Sequence, residues 1–269
     1  PFPAEDGIRD PPYSLVGSEM CIRDRIHTVV SVLVMLPAAA SANLEADAQE
    51  SFRQLQFGYV ALDSGDFEAA ARHYGRARDL ARGEEQLFNA LFGFGSAALE
   101  LGRFSEAREA LETAHELRPG EVGATFLLGV TCRRQGDLDQ AVVYLAEASA
   151  RDPELTQALV ELGIAYGALD RHADAERVCR KALEQDPENT EAMLGLAVAL
   201  FHQDANEAAV EQFRQLLELD PDNIRAHYGL GLALVFAGDR PGAMEELRYL
   251  NEHAPELGDE LYSWIFTDG

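Results

Sequence analysis

The fold is decided by residues 123–153, which read GATFLLGVTCRRQGDLDQAVVYLAEASARDP. Apolar residues at three- and four-residue spacing predict a helix over 123–135. The glycine at Gly136 and the aspartate after it interrupt this pattern, as a turn does. A second helix is predicted to begin at Leu138 and to end before Pro153, because proline cannot continue the hydrogen-bond ladder. Helices this short are not stable alone in water, so the pair must pack against neighbours.

The same helix pair recurs along the chain at an interval of 34 residues. A fixed period of this length indicates a solenoid, in which each pair buries its apolar faces against the next pair. Three series of residues mark the repeat, namely a small residue in the first helix (Gly58, Gly95, Gly129, Gly163, Ala197 and Gly231), an alanine in the second helix (Ala107, Ala141, Ala175, Ala209 and Ala243), and a terminating proline (Pro119, Pro153, Pro187, Pro221 and Pro255).

These residues give the chain a resemblance to the tetratricopeptide repeat (TPR) proteins. The motif is clearest in one unit as Leu128-Gly129, Ala141, Ala148 and Pro153, and it extends over residues 51–255. The resemblance implies an all-α, right-handed α-solenoid of six repeats that binds proteins and has no catalytic role. The expected units are 51–84, 88–121, 122–155, 156–189, 190–223 and 224–257, with a three-residue insertion before the second unit.

A last helix is expected to close the array at residues 257–266. Leu257, Leu261, Trp264 and Ile265 fall on one helical face, and a solenoid must cover its exposed terminal face. We therefore predict a capping helix and tail over 258–269. Trp264 is expected to fill the core rather than to serve as a ligand platform.

The first 25 residues, PFPAEDGIRDPPYSLVGSEMCIRDR, fit no part of the repeat. They look like a translated sequencing adaptor and are treated as non-native, the alternative being a disordered natural leader. Residues 43–50 are expected to be a short lead-in to the array.

Residues 26–42, IHTVVSVLVMLPAAASA, have the features of a secretory signal peptide. The apolar run is shorter than the roughly 20 residues that a spanning helix needs. The small residues at Ala40 and Ala42 predict cleavage before Asn43, and hence a periplasmic or secreted protein. An uncleaved membrane anchor and a merely apolar helix remain as alternatives.

Composition narrows the possible partners. The net charge of −25 would repel nucleic acid and anionic membranes, so membrane contact is expected at most through the N-terminal segment.

Gly93-Phe94-Gly95 lies inside a repeat helix with no preceding strand, which argues against a dinucleotide loop. Cys132 and Cys179 are expected to be buried thiols. The histidines lack ligand spacing, so no metal, cofactor or catalytic site is predicted.

The candidate binding site is a groove. In arrays that resemble this chain, the first helix of each pair lines the concave surface, so its outward residues are expected to be partly exposed there. The alternative is lateral packing between neighbouring first helices. Arg133, Arg134, His202 and Arg225 are the few basic points expected nearby. The predicted lining consists of Phe92, Phe126, Val130, Arg133, Val160, Ile164, Leu194, Val198, Phe201, Tyr228 and Leu232.

The function expected from this groove is that of a protein–protein interaction scaffold in the bacterial envelope. An extended or helical segment of a partner would bind through apolar contacts, and the residues do not specify that partner. The lysine and asparagine pattern that binds chaperone tails in related arrays is missing. The alternative is a non-catalytic regulatory subunit or fragment of a secretion, polysaccharide-export or glycosyltransferase system.

Overall fold

The computed structural model describes residues 41–266. These residues form two compact units, one ending at Thr131 and the other beginning at Cys132. The segment predicted to be non-native, 1–25, lies outside the described residues, and so does the apolar part of the predicted signal peptide.

The first unit is built from helices that pack on one another in chain order. Helix α1 begins at Ser41, so the predicted lead-in at 43–50 is helical. Helix α2 packs on both α1 and α3, and α4 packs on α3. The helices are α1 (Ser41–Asp63), α2 (Phe67–Leu80), α3 (Glu84–Glu100) and α4 (Phe104–Leu117), followed by α5 (Val122–Gln135), which contains the boundary between the units.

The second unit continues the pattern of antiparallel pairs. Helices α7 and α8, α9 and α10, and α11 and α12 form successive pairs, while α9 also packs on α7 and on α11. Its helices are α6 (Leu138–Arg151), α7 (Thr156–Ala168), α8 (His172–Gln185), α9 (Thr190–Phe201), α10 (Asn206–Leu219), α11 (Ile224–Phe236), α12 (Arg240–His253) and α13 (Pro255–Phe266). This arrangement confirms the predicted all-α solenoid of helix pairs.

The predicted helix ends are confirmed. The second helix of a pair ends two residues before the repeated proline, as α6 does at Arg151 before Pro153. The turn inside each pair has one residue with positive φ, which glycine adopts at least steric cost. These residues are Gly65, Gly102, Gly136, Asp170, Asp204 and Gly238.

Side chains in the turns cap the helices that follow. Asn223 accepts a hydrogen bond from the backbone nitrogen of Ala226 at 3.0 Å and so caps α11. Asn189 caps α9 in the same way, through Ala192 at 2.9 Å. Such caps satisfy backbone donors that the first turn of a helix leaves unpaired.

The repeated small residues are required by close packing. A Cβ atom at Gly163 would lie 2.6 Å from the sulfur of Cys179, and one at Gly95 would lie 2.6 Å from Leu111 Cγ. Both distances are far below van der Waals contact. The repeated alanines of the second helices are buried as well, with exposed fractions of 2% or less.

The interior confirms one prediction about individual side chains and corrects another. Cys132 and Cys179 are buried thiols, as expected. Trp264 is 40% exposed, so the prediction that it fills the core is wrong. The inner face of α13 is occupied instead by Leu261 and Ile265, which are 0% and 6% exposed. Since residues advance by about 100° per position in a helix, Trp264 lies at the flank of that face.

Candidate functional site

The predicted lining is accessible mainly on two neighbouring helices of the second unit. Leu194, Val198 and Phe201 of α9 are half-buried, and so is Ile164 of α7. Helices α7 and α9 pack against each other. These four side chains therefore form an apolar strip that is partly open to solvent.

Three other predicted lining residues of the second unit are buried. Val160, Tyr228 and Leu232 are only 4–5% exposed. Val160 belongs to a core cluster that includes Ala192 of α9, the adjacent first helix. Lateral packing between first helices therefore covers this side chain, and the expectation that all three would be partly exposed is wrong.

In the first unit, two of the three predicted lining residues are also buried. Phe126 and Val130 are 5% and 7% exposed, which corrects the prediction of partial exposure. An outward direction within a helix pair does not by itself leave a side chain in solvent. Phe92 is half-buried, and its ring stacks on Phe88 with centroids 5.9 Å apart.

Arg133 is not an accessible basic point, contrary to the prediction. Its Nε lies 2.6 Å from Glu161 Oε2, and the two side chains are only 10% and 13% exposed. A pair this poorly solvated is screened far less than a surface pair. The guanidinium therefore joins α5 to α7 within the second unit and is already paired.

His202, another predicted basic point, contributes a ring rather than a charge. Its ring stacks on that of His172 with centroids 4.4 Å apart and planes 7° from parallel. Burial, together with the neighbouring His172, lowers the pKa of His202. The imidazole is therefore neutral near pH 7 and presents a flat aromatic face.

Three aromatic rings near the C-terminal ends of α9, α11 and α13 lie next to one another, a grouping that the sequence reasoning did not predict. The aromatic row consists of Phe201, Phe236 and Trp264. The rings of Phe201 and Phe236 lie 5.6 Å apart, and Phe236 and Trp264 are also 5.6 Å apart. Phe236 is 52% exposed and Trp264 is 40% exposed. The aromatic row thus extends the apolar strip of α9 toward α13.

Within 41–266, no three His, Cys, Asp or Glu side chains are grouped so as to hold a metal ion. None of the helices in that range is both long enough and apolar enough to cross a membrane.

The tetratricopeptide repeat family matches residues 92–156 and 160–224, and a second description of the same family matches residues 200–263. Together these segments cover more than half of the chain. The chain belongs to the tetratricopeptide repeat family. TPR arrays are protein–protein interaction scaffolds, so the accessible strip and the aromatic row are candidate contact surfaces for another protein.

Solved structures support the TPR fold. A tetratricopeptide repeat protein from Parabacteroides merdae is 18% identical and superposes with a TM-score of 0.68, covering 81% of this chain and 86% of that chain. YrrB, described as a TPR protein with an unusual peptide-binding site, is 20% identical with a TM-score of 0.58, covering 70% and 96%. MamA from Desulfovibrio magneticus is 22% identical with a TM-score of 0.59, covering 65% and 97%. None of the curated proteins matches the chain.

Proposed function

We propose that this TPR protein binds an extended or helical segment of a partner protein along the apolar strip of α7 and α9. The observation that carries the proposal is the partial exposure of Ile164, Leu194, Val198 and Phe201 on helices that pack together. A contiguous apolar patch on an otherwise acidic surface marks an interaction site. The peptide-binding site named for YrrB, a protein of the same fold, is consistent with this use of the fold.

Selection of peptides on the purified full chain would test the proposal. Random peptides displayed on phage would be enriched, synthesised and measured by calorimetry against the parent chain and variants. Val198→Ser combined with Phe201→Ala should weaken binding at least about tenfold, which corresponds to about 1.4 kcal/mol. Contacts near the centre of an interface commonly carry that much or more.

Val143→Ser is the matched control. Val143 is an apolar side chain of α6, a second helix, and is 55% exposed. The control variant should bind the enriched peptides as the parent does, and both variants should keep parental helical content. If the Val198→Ser, Phe201→Ala double variant binds normally while Val143→Ser loses the peptides, the working surface is formed by the second helices instead.

The proposed setting is the bacterial envelope, and it rests on the signal-peptide features of residues 26–42. The chain would be expressed in a bacterium with residues 1–25 replaced by a start methionine and a short basic segment, and with residues 26–42 kept. The exported product should begin at or near Asn43. N-terminal sequencing that still returned residues 29–36 would favour an anchor over a cleaved signal peptide.

A further inference from the structure

The aromatic row is exposed because the core behind it is already filled. Leu261 and Ile265 occupy the inner face of α13, which leaves Trp264 at its flank against Phe236. Phe236 is the last residue of α11 and Phe201 the last residue of α9. Two of the three rings therefore belong to the last residues of their helices, and Trp264 lies two residues before the last described residue of α13.

The charged side chains on the three helices of the row are mostly acidic, and Arg240, at the start of α12, has its guanidinium 4.8 Å from the ring centroid of Phe266 on α13. The three helices that contribute the rings contain one arginine and no lysine, and that arginine is Arg225 at the start of α11. At a rise of about 1.5 Å per residue, Arg225 lies about 16 Å along α11 from Phe236. The C-terminal ends of α9 and α11 also bear the partial negative charge of the helix dipole.

Glu260 places a carboxylate beside the row. It lies four residues before Trp264 on α13, so the two side chains share one flank of that helix. The hydroxyl of Tyr228, a buried residue of α11, donates a hydrogen bond to Glu260 Oε2 at 3.0 Å. Burial first, and Glu260 second, raise the pKa of Tyr228, so the hydroxyl stays protonated as a donor.

We propose that the aromatic row and Glu260 form a docking site for an arginine-bearing segment of the partner protein. A guanidinium can stack on the face of a tryptophan or phenylalanine ring while it pairs with a nearby carboxylate. An anionic segment is disfavoured by the net charge of −25. This proposal rests on the proposed function, because it assigns the chemistry of a segment that would bind along the adjoining strip.

The test compares two short synthetic peptides, each made of repeated Leu-Ala-Arg triplets, with citrulline replacing every arginine in the second. Citrulline keeps the planar group and removes the charge. Binding to the full chain is measured by calorimetry at low and at physiological salt. The arginine peptide should bind at least about tenfold more tightly than the citrulline peptide, and added salt should reduce the difference.

Substitutions in and beside the aromatic row test whether the preference for the arginine peptide arises there. Trp264→Leu keeps an apolar side chain but removes the ring face, and Glu260→Gln removes the charge. Each should reduce the preference for the arginine peptide by at least about threefold. Tyr262→Leu is the control, since Tyr262 is 53% exposed on the opposite flank of α13. It should leave the preference unchanged.

The outcomes separate the two proposals. Equal binding of the arginine and citrulline peptides, or an unchanged preference in Trp264→Leu, would overturn the assignment of an arginine-bearing segment. The phage-selected peptides would then still bind through the α7–α9 strip if the proposed function holds. Failure of those selected peptides to depend on Val198 and Phe201 would overturn both proposals.

Discussion

The close approach of α7 to α8 makes a sharp prediction for Gly163→Ala. The added Cβ would lie 2.6 Å from the sulfur of Cys179 and 3.4 Å from Val178 Cγ2. Cys179 is 1% exposed, so its sulfur is enclosed by neighbouring atoms rather than by solvent. Overpacking of this kind costs about 1–3 kcal/mol, while replacing a helical glycine gains up to about 1 kcal/mol. With the full glycine gain the net loss of unfolding free energy is about 0–2 kcal/mol, and the 2.6 Å contact favours the upper half of that range.

A double-mutant cycle separates the steric clash from other effects. Cys179→Ala removes the clashing sulfur, so Gly163→Ala should cost much less in that background, with a coupling of about 1 kcal/mol. Unfolding in urea would be followed by circular dichroism on the full chain. Gly167→Ala is the control on the same helix, because apart from its chain neighbours and the nearby backbone of α7 no described atom lies within 4 Å of its Cβ position; it should be neutral or stabilising. Additive costs in the cycle would refute the packing argument.

Three further predictions concern single positions. Ala141→Leu, at a fully buried site on α6, should cost about 1–3 kcal/mol by overpacking, whereas Asp139→Asn on the exposed flank should change stability by at most about 0.5 kcal/mol; equal shifts of the urea midpoint would contradict the phasing of α6. Asp204 has a φ of 59°, so Asp204→Gly should raise stability by about 0.5–1 kcal/mol and Gly102→Asp, at the equivalent turn, should lower it; thermal melts with the same sign for both would exclude backbone strain as the cause. Burial raises the pKa of the Cys179 thiol to about 12, above its ordinary value of about 8.5, so its contribution to stability is complete below about pH 8.5 and is lost as pH rises toward 12. Between about pH 7.5 and 9.5, the parent chain should therefore lose about 1 kcal/mol more unfolding free energy than Cys179→Ala does. Equal losses for the two proteins, measured by urea titration at both pH values, would show that folding does not raise the pKa of this thiol.

The candidate site was only partly predictable. Ile164, Leu194, Val198 and Phe201 are half-buried, in keeping with the partial exposure expected from helical phasing. Val160 has the same phasing and is buried, since Ala192 of the next first helix lies in its cluster. Periodicity within one helix contains no information about how closely its neighbour approaches.

Arg133 and Trp264 also could not be placed from the sequence, because their surroundings depend on residues of other helices. The sequence indicated only that Arg133 lies on the outward face, whereas its partner Glu161 is 28 residues away on another helix. Trp264 shares a broad apolar stripe with Leu261 and Ile265, and the stripe alone does not tell which two of the three reach the core. The sequence signal for the exposed flank is Glu260, a charged residue four positions before Trp264 on the same side of α13.

By itself, the sequence determined the architecture of this TPR protein: the helix pairs, their ends at the repeated prolines, the turns, and the small residues where helices touch. These features are local or strictly periodic, so each follows from backbone sterics and from helical spacing. The tertiary structure alone decided which outward side chains remain accessible, that Arg133 pairs with Glu161, and that Phe201, Phe236 and Trp264 form one row. Those features depend on distances between different helices, which are set by how the side chains of both helices pack together.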